Sequence, residues 1–363
     1  MDRRSFIKKA GLVGAGAAAS TTLAAPAIAQ GNRTLTMVTS VPDGFAIFDD
    51  AAQLAIDYIT AMTDGQLSFN KMSAGSLVGA FEVFDAVSSG QADVYHSAEY
   101  YFLNQHPGFA FFTSVPFGMT AQEMANWYYR RGGQELHDNL SGLFGLKPLM
   151  VGMTAMQPGG WYNNEINSAD DLQGLRFRMP GQGGQVLGRL GASVQNIPGG
   201  EIYQALASGQ IDGAEWIGPY ADERMGFQEV TNTYYAAGFH EPGSALSMVF
   251  NLEIWESLTA TQQQVCKVAC EAAHAQNTAL SLAENGAALA RLQAGGVQVR
   301  QFPDDVWDAF GRGAAEVRAE NMSDPMYAEI ADSYFASLQE SADWYGIADG
   351  EYQRQRNRVN AAM

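Results

Sequence analysis

Positive charge is scarce in this chain: 21 lysines and arginines stand against 39 aspartates and glutamates, a formal net charge of −18. Arg3, Arg4, Lys8, Lys9 and Asp2 sit at the very start. Setting them aside, a segment of +3, takes the remainder from −18 to −21, and its only lysines are Lys71, Lys147 and Lys267. A duplex binder needs a basic face to displace counterions, so nucleic acid is not an expected partner. An anionic lipid surface is disfavoured for the same reason. Cysteine is as sparse. Cys266 and Cys270 are the only two, four apart in a helical pattern. Two thiols on one straight helix rarely meet disulfide torsions, so the expectation is two small buried residues rather than a bridge. No zinc-type Cys/His spacing exists.

Catalytic signatures are missing too. There is no His-Glu-x-x-His, no Gly-x-Ser-x-Gly and no Walker loop. Gly181-Gln-Gly-Gly-Gln-Val186 lacks the last glycine of a dinucleotide fingerprint. His96, His106, His137, His240 and His274 are scattered, and each alone reads as structural or surface. Paired carboxylates are compatible with a glycosidase, but an acidic chain contains many such pairs. After residue 29 no run is long and apolar enough to cross a bilayer.

The first 29 residues read as a leader. Arg3-Arg4-Ser5-Phe6-Ile7-Lys8-Lys9 opens it, a Gly/Ala-rich stretch follows, and Ala27-Ile28-Ala29 is a small-x-small cleavage pattern. The paired arginines resemble a twin-arginine export signal. A membrane anchor is the competing reading, but the apolar stretch is short and Gly-broken against the ~20 residues a span needs. The rest of the chain is expected to be a soluble periplasmic protein, long enough for two packed lobes rather than one core.

Strand, helix, strand in sequence opens that region, the pattern of parallel α/β structure. Thr34–Ser40 is strand-like. Phe48, Ala52, Ala55, Ile59 and Met62 recur at helical spacing, and Leu67 and Phe69 alternate as a second strand. A quasi-repeat follows. Residues 82–93 read Glu-Val-Phe-Asp-Ala-Val-Ser-Ser-Gly-Gln-Ala-Asp, and residues 201–212 read Glu-Ile-Tyr-Gln-Ala-Leu-Ala-Ser-Gly-Gln-Ile-Asp. Each is a short helix, a Ser-Gly-Gln turn and a strand start, which points to two lobes of similar build. In open parallel sheets, ligands lie beyond the strand carboxyl ends. Tyr95, His96, Glu99, Tyr100 and Tyr101 follow the first copy; Glu215, Trp216 and Tyr220 follow the second.

Apolar Lys147–Thr154 and Ser244–Leu252 are expected to cross between the lobes. Residues 255–292 read as a long helical pair, Val297–Phe302 as a late strand, and the chain from Asp304 onward as helical. Its apolar stripe includes Val306, Trp307, Phe310, Ile330, Tyr334, Phe335 and Trp344. The lobes are drawn as 33–152 with 245–284, and 153–244 with 285–363.

In Asp170-Asp-Leu-Gln-Gly-Leu-Arg-Phe-Arg-Met-Pro180, Arg176 and Arg178 share one face of a strand. An arginine at the strand end can offer its planar fork to a carboxylate; a surface salt bridge is the equal alternative.

This stretch, with Leu190-Gly-Ala192, Glu201–Gly213 and Val115-Pro-Phe-Gly118, resembles the DctP-type solute receptors of TRAP transporters. The resemblance covers most of the chain beyond residue 29. It implies an α/β, two-lobed periplasmic-binding-protein fold (type II-like) with crossover strands, a long connecting helix and a helical C-terminus. It implies a binding protein, not an enzyme, that delivers an organic acid to membrane subunits, with the carboxylate-pairing arginine at Arg178. Many members carry asparagine after the Asp-Gly of the second turn. Here the text is Asp212-Gly-Ala-Glu-Trp-Ile-Gly-Pro219, which resembles the subgroup binding 2-oxo acids such as pyruvate, or lactate, with a metal cation. In that subgroup the cation ligands fall on Gln157, Glu215, the Trp216 carbonyl and Glu241. The cation implied is sodium, with calcium as the alternative. A hard cation wants oxygen ligands, and these residues supply them. Tyr100 and Trp216 are the expected pocket wall, with Tyr101 and Phe239 as lesser candidates. The resemblance also implies homodimers through the C-terminal helices. Two alternatives stay open: a receptor for another organic acid or a polyol, and an exported metal-dependent enzyme on the same scaffold.

Overall fold

The computed structural model describes residues 31–363; the leader read at 1–29 lies outside the described residues. Strand β1 (Arg33–Thr39) leads into helix α1 (Phe48–Met62), which returns to β2 (Leu67–Met72). The helix buries Ala51, Ala52, Ala55, Ile56 and Ile59, and β2 lies parallel to β1. A short helix α2 (Val83–Ser88) then feeds β3 (Val94–Ser97) on the other side of β1. Helices α3 (Ala121–Arg130) and α4 (Gly133–Gly142) precede β4 (Leu146–Met153).

Strand β4 ends the first half, and β5 (Gly160–Tyr162) begins the second. It is followed by β6 (Arg176–Arg178), α5 (Gly181–Arg189), β7 (Ser193–Gln195), α6 (Ile202–Ala207), β8 (Gly213–Ala214), α7 (Pro219–Met225) and β9 (Thr233–Tyr235). Then β10 (Ala245–Asn251) returns and lies antiparallel between β3 and β4. The sheet orders are β2-β1-β3-β10-β4 and β11-β9-β5-β8-β6-β7, with β11 at Gln298–Arg300. Each sheet has the same core, parallel strands flanked by one antiparallel strand from the crossover. In the second sheet that strand is β5, antiparallel to β8 and β9.

The quasi-repeat is a structural correspondence. Gly90 and Gly209 both take a left-handed φ, 78° and 71°, which closes the helix where a side chain would be strained. Gln91 N–H donates to Ala86 C=O at 2.8 Å, and Gln210 N–H to Ala205 C=O at 2.9 Å. Asp93 accepts from the Thr36 N–H on β1 at 2.7 Å, and Asp212 from the Arg176 N–H on β6 at 3.0 Å. In both copies the closing aspartate therefore ties the turn to the neighbouring parallel strand.

Two expectations need correction. Residues 255–292 are not two long helices: a six-residue α8 (Leu252–Ser257) precedes one unbroken 35-residue helix, α9 (Ala260–Ala294). Thr259 caps its start, accepting from the Gln262 N–H, and no proline interrupts it. The second correction concerns the chain end. Helix α10 (Asp304–Glu320) packs on α5, but α11 (Pro325–Tyr345) packs on α3, α4 and residues 107–112 of the first half. Its Tyr327, Ile330, Ala331 and Tyr334 meet an aromatic surface there. Phe111 lies 5.2 Å from Tyr334, Trp127 lies 5.1 Å from it, and the Met119 N–H donates to the Tyr334 hydroxyl at 2.6 Å. The stretch 285–363 thus does not stay with the second sheet. A last helix, α12 (Glu351–Asn360), ends the chain.

Helix α9 binds both halves through polar residues one turn apart. Asn277 donates to the Ile47 carbonyl at 2.8 Å and accepts from the Met153 N–H at 2.9 Å. Ser281 donates to the Thr154 carbonyl at 2.6 Å, and Asn285 accepts from the Tyr220 N–H at 3.0 Å. Ile47 takes φ 70°, strained for a β-branched residue, so its carbonyl needs this anchor. Asn277→Ala strands a buried N–H and loosens that anchor. It is expected to lower stability by about 1–3 kcal/mol, measured by urea unfolding. Cys266 and Cys270 are buried on the same helix, unbridged. Among the described residues no helix is long and apolar enough to cross a membrane.

Candidate functional site

Arg176 and Arg178 share a face of β6 but differ in depth. Arg176, at the strand start, stays exposed and pairs with Asp212. Arg178, at the strand end, is 1% exposed. Its Nε donates to the Ile197 carbonyl at 3.1 Å and its Nη1 to the Glu215 carbonyl at 2.9 Å. Nη1 also pairs with Glu215 Oε1. Among the described residues Nη2 has one partner, the Tyr101 hydroxyl at 3.4 Å. The guanidinium lies over the Trp216 ring, 5.4 Å from its centroid.

Glu215 and Trp216 follow β8 directly. The Glu215 N–H donates to the Arg178 carbonyl at 3.3 Å, which carries the β6–β8 pairing one residue further. Asp222 fixes the next turn: its Oδ1 accepts from the Ile217 and Gly218 N–H groups at 3.1 and 2.9 Å. Its Oδ2 accepts from Trp161 Nε1 and the Tyr234 hydroxyl at 3.0 and 3.2 Å. The backbone around the Trp216 carbonyl is therefore held from behind.

Gln157 and Glu241 come from the two crossovers, after β4 and before β10. Their backbones bond, Gln157 N–H to Glu241 C=O at 3.0 Å. The Gln157 amide nitrogen donates to Glu241 Oε2 at 2.7 Å and to Thr154 Oγ1 at 3.1 Å. Ser244 Oγ donates to the same Glu241 oxygen. With both amide hydrogens committed, Gln157 Oε1 is left buried without a partner among the described residues.

Carboxylate oxygens of Glu215 and Glu241 and a ring nitrogen of His240 all lie within 4.8 Å of one another. All three residues are buried. Burial pushes the Glu215 carboxyl up to about 7, against the pull of Arg178. Burial pushes Glu241 to about 7 as well, and Glu215 adds to it. Burial pushes His240 down to about 4. Two buried acids face one buried arginine, so the cluster lacks positive charge. An orphaned amide oxygen beside two carboxylates is the donor set of a hard cation, and these residues fit one.

Trp216 is the seam between the halves: its ring stacks on Phe48 at 6.2 Å and meets Phe45 edge-on at 6.0 Å. Tyr100 packs on Gly181, where an added Cβ would lie 3.2 Å from its ring. Tyr101 reaches Arg178, as noted. Phe239 meets the His240 ring edge-on at 5.6 Å on one side. On the other it stacks on Phe310 at 3.9 Å in the second hydrophobic core, as aromatics more often do. His240, Asp222, Ser244 and the Ile197 carbonyl escaped the sequence reading. His240 had one usable signal, adjacency to Glu241.

The DctP family model, described as bacterial extracellular solute-binding protein, family 7, matches residues 37–324. A monocarboxylate 2-oxoacid-binding periplasmic protein of Nostoc sp. is 36% identical over 318 residues, 87% of each chain. A TRAP periplasmic solute-binding protein of Pseudoalteromonas atlantica, solved with sodium and pyruvate, is 37% identical. It aligns with a TM-score of 0.86 over 89% of this chain and 99% of that one. A TRAP transporter solute-binding protein of Bordetella bronchiseptica, a mixed-occupancy dimer with copurified calcium and picolinate, is 31% identical. Its TM-score is 0.89 over 92% of this chain and 99% of that one. With the family model spanning most of its length and these relatives covering nearly all of the described fold, the chain belongs to the DctP family of bacterial extracellular solute-binding proteins, family 7.

Proposed function

We propose that this chain is the extracytoplasmic receptor of a TRAP transporter, binding a small 2-oxo monocarboxylate such as pyruvate together with one metal cation. The family is one of solute-binding receptors, not enzymes. The observation that carries the ligand reading is the buried constellation itself. Arg178 offers a partly free guanidinium beside two buried carboxylates and an orphaned amide oxygen. An anionic ligand alone would be repelled by Glu215 and Glu241. A bound cation, sodium or calcium, supplies the missing positive charge and accepts oxygen donors.

In this reading Gln157 Oε1, Glu215, the Trp216 carbonyl and Glu241 hold the cation. Arg178 binds the carboxylate of the acid through Nη2, and Tyr100 and Trp216 wall the pocket. The relatives solved with pyruvate and sodium or calcium support it. The two sheets act as lobes, divided near the crossovers at 153 and 245, with α9 shared and α11 on the first. Contacts that join them, Tyr100 on Gly181 and Pro42 3.2 Å from a Cβ at Gly200, break when the lobes open to admit solute. Ligand contacts from both lobes then favour the closed population. The periplasm is the destination, reached through the twin-arginine leader at 1–29. A homodimer through the C-terminal helices fits the exposed Trp344, Ile347, Tyr352 and Val359, and sedimentation at micromolar concentration tests it.

The function is tested by thermal shift on protein that has been unfolded and refolded to shed copurified ligand. Pyruvate, longer 2-oxo acids, lactate, succinate and mannitol are each paired with sodium, calcium or chelator. Binding to the native state alone raises apparent stability by about 2.7 kcal/mol at a hundredfold excess over Kd. The expected shift appears with 2-oxo acids or lactate and disappears with chelator and without sodium. A cation-independent shift with succinate or mannitol sinks the cation site, and no shift with any solute sinks the ligand class.

A further inference from the structure

His240 has no part in the roles above, yet it sits within the acid cluster. Its Nε2 lies 3.4 Å from Glu215 Oε2, and its Nδ1 is buried with no partner among the described residues. Such a ring can serve in two ways. It can ligate the cation through Nε2, or it can donate an Nε2–H to Glu215.

The unpartnered Nδ1 separates the two. A histidine that ligates a metal through one nitrogen hands the N–H of the other to an acceptor. Here ligation through Nε2 would strand that N–H in a buried place, at a cost. With the hydrogen on Nε2 instead, the N–H meets a carboxylate and Nδ1 keeps only a lone pair. The seat of the ring is cleared by glycines on two segments. A Cβ at Gly238 would lie 2.6 Å from His240 Cε1 and 2.7 Å from Nδ1, and a Cβ at Gly183 2.6 Å from His240 Cβ. Ser114 Oγ donates to the His240 carbonyl at 3.4 Å, holding the backbone beneath it.

We infer that His240 is a positioning residue: as the Nε2–H tautomer it donates to Glu215 Oε2 while Arg178 holds Oε1. Glu215 then presents one fixed orientation to the cation, and His240 itself contributes no bond to it. The inference rests on the cation reading proposed above.

The test uses the full-length mature protein, ¹⁵N-labelled, with pyruvate and ¹¹³Cd²⁺ as an NMR-visible stand-in for calcium. The His240 signals are assigned against His240→Gln. The expected result is a protonated Nε2 and a bare Nδ1, before and after metal, with no ¹¹³Cd coupling to either nitrogen. In calorimetry His240→Leu is expected to weaken calcium binding about 10–100-fold, with His240→Gln recovering part of it through its amide donor. Cadmium coupling to Nε2, an Nδ1–H tautomer, or unchanged calcium affinity in His240→Leu overturns the inference alone. The tautomer itself is read on the wild type, and His240→Gln serves only to assign the signals. Pyruvate binding by the wild type with no cation at all overturns the parent reading and this inference together.

Discussion

Arg178→Ala is expected to lose both ligand affinity and stability, in amounts that calorimetry and unfolding can separate. The guanidinium is buried, and among the described residues it is the one cation paired with Glu215, whose other partner, His240, is held neutral by burial. Truncating one partner of a buried charged pair costs about 2–5 kcal/mol in binding, roughly 30- to 4,000-fold in Kd. Stability should fall by about 3–5 kcal/mol at pH 8, because two buried carboxylates lose their counter-charge. Saturating calcium should return part of that loss, since the cation replaces the missing charge locally. Arg178→Lys keeps the charge but not the planar fork, so its stability should recover more than its pyruvate affinity. An Arg178→Ala protein that binds pyruvate within threefold of wild type would remove Arg178 from the site.

Glu215→Gln with Glu241→Gln is expected to remove cation dependence and to change the pH profile of the cation-free protein. Both carboxyls are pushed up to about 7 by burial, from an ordinary value of 4.5. The folded protein therefore holds extra protons between about 4.5 and 7. Stability linked to these two groups rises as pH falls through that window, the reverse of a paired surface acid. Glu99, pushed to about 7, and Asp222, pushed to about 6, act in the same sense. His240, pushed down to about 4, acts in the opposite sense as pH falls below its ordinary 6.5. The difference between wild type and the double variant isolates the pair. In chelator, the wild type should gain stability relative to the variant as pH drops from 8 to 5. Cation binding must displace these protons, so calcium affinity should fall below pH 7 by up to about tenfold per pH unit per proton. Tm against pH, with and without calcium, measures both. A double variant that still shows calcium-dependent pyruvate binding would place the cation elsewhere.

The α/β class and the quasi-repeat were legible because each is a local pattern. Helical spacing from Phe48 to Met62 and the twin Ser-Gly-Gln turns write themselves into short stretches of chain. Arg178, Glu215, Trp216, Gln157 and Glu241 came from a motif resemblance, since nothing in the spacing of Gln157 and Glu241 brings them together. The surroundings of Phe239 are not legible because an aromatic beside a polar cluster in sequence has two sides in space. Its two sides meet His240 and Phe310. The packing of helix α11 on first-half helices is not legible for a related reason: an apolar stripe declares that it is buried, not against what.

Charge balance, the two unbridged cysteines, the lack of catalytic motifs and the repeated helix–turn–strand unit are properties of the sequence alone. They depend on composition or on contacts within a dozen residues. The tertiary structure alone decided which of the buried groups meet. It brought Arg178 from β6, Glu215 from beyond β8, and Gln157 and Glu241 from opposite crossovers into one cluster. It also left Gln157 Oε1 without a partner among the described residues. Such meetings depend on where two sheets and a shared helix set the chain ends in space. Burial then converts two ordinary glutamates into groups that titrate near neutrality, because a charge removed from water is costly until another charge faces it.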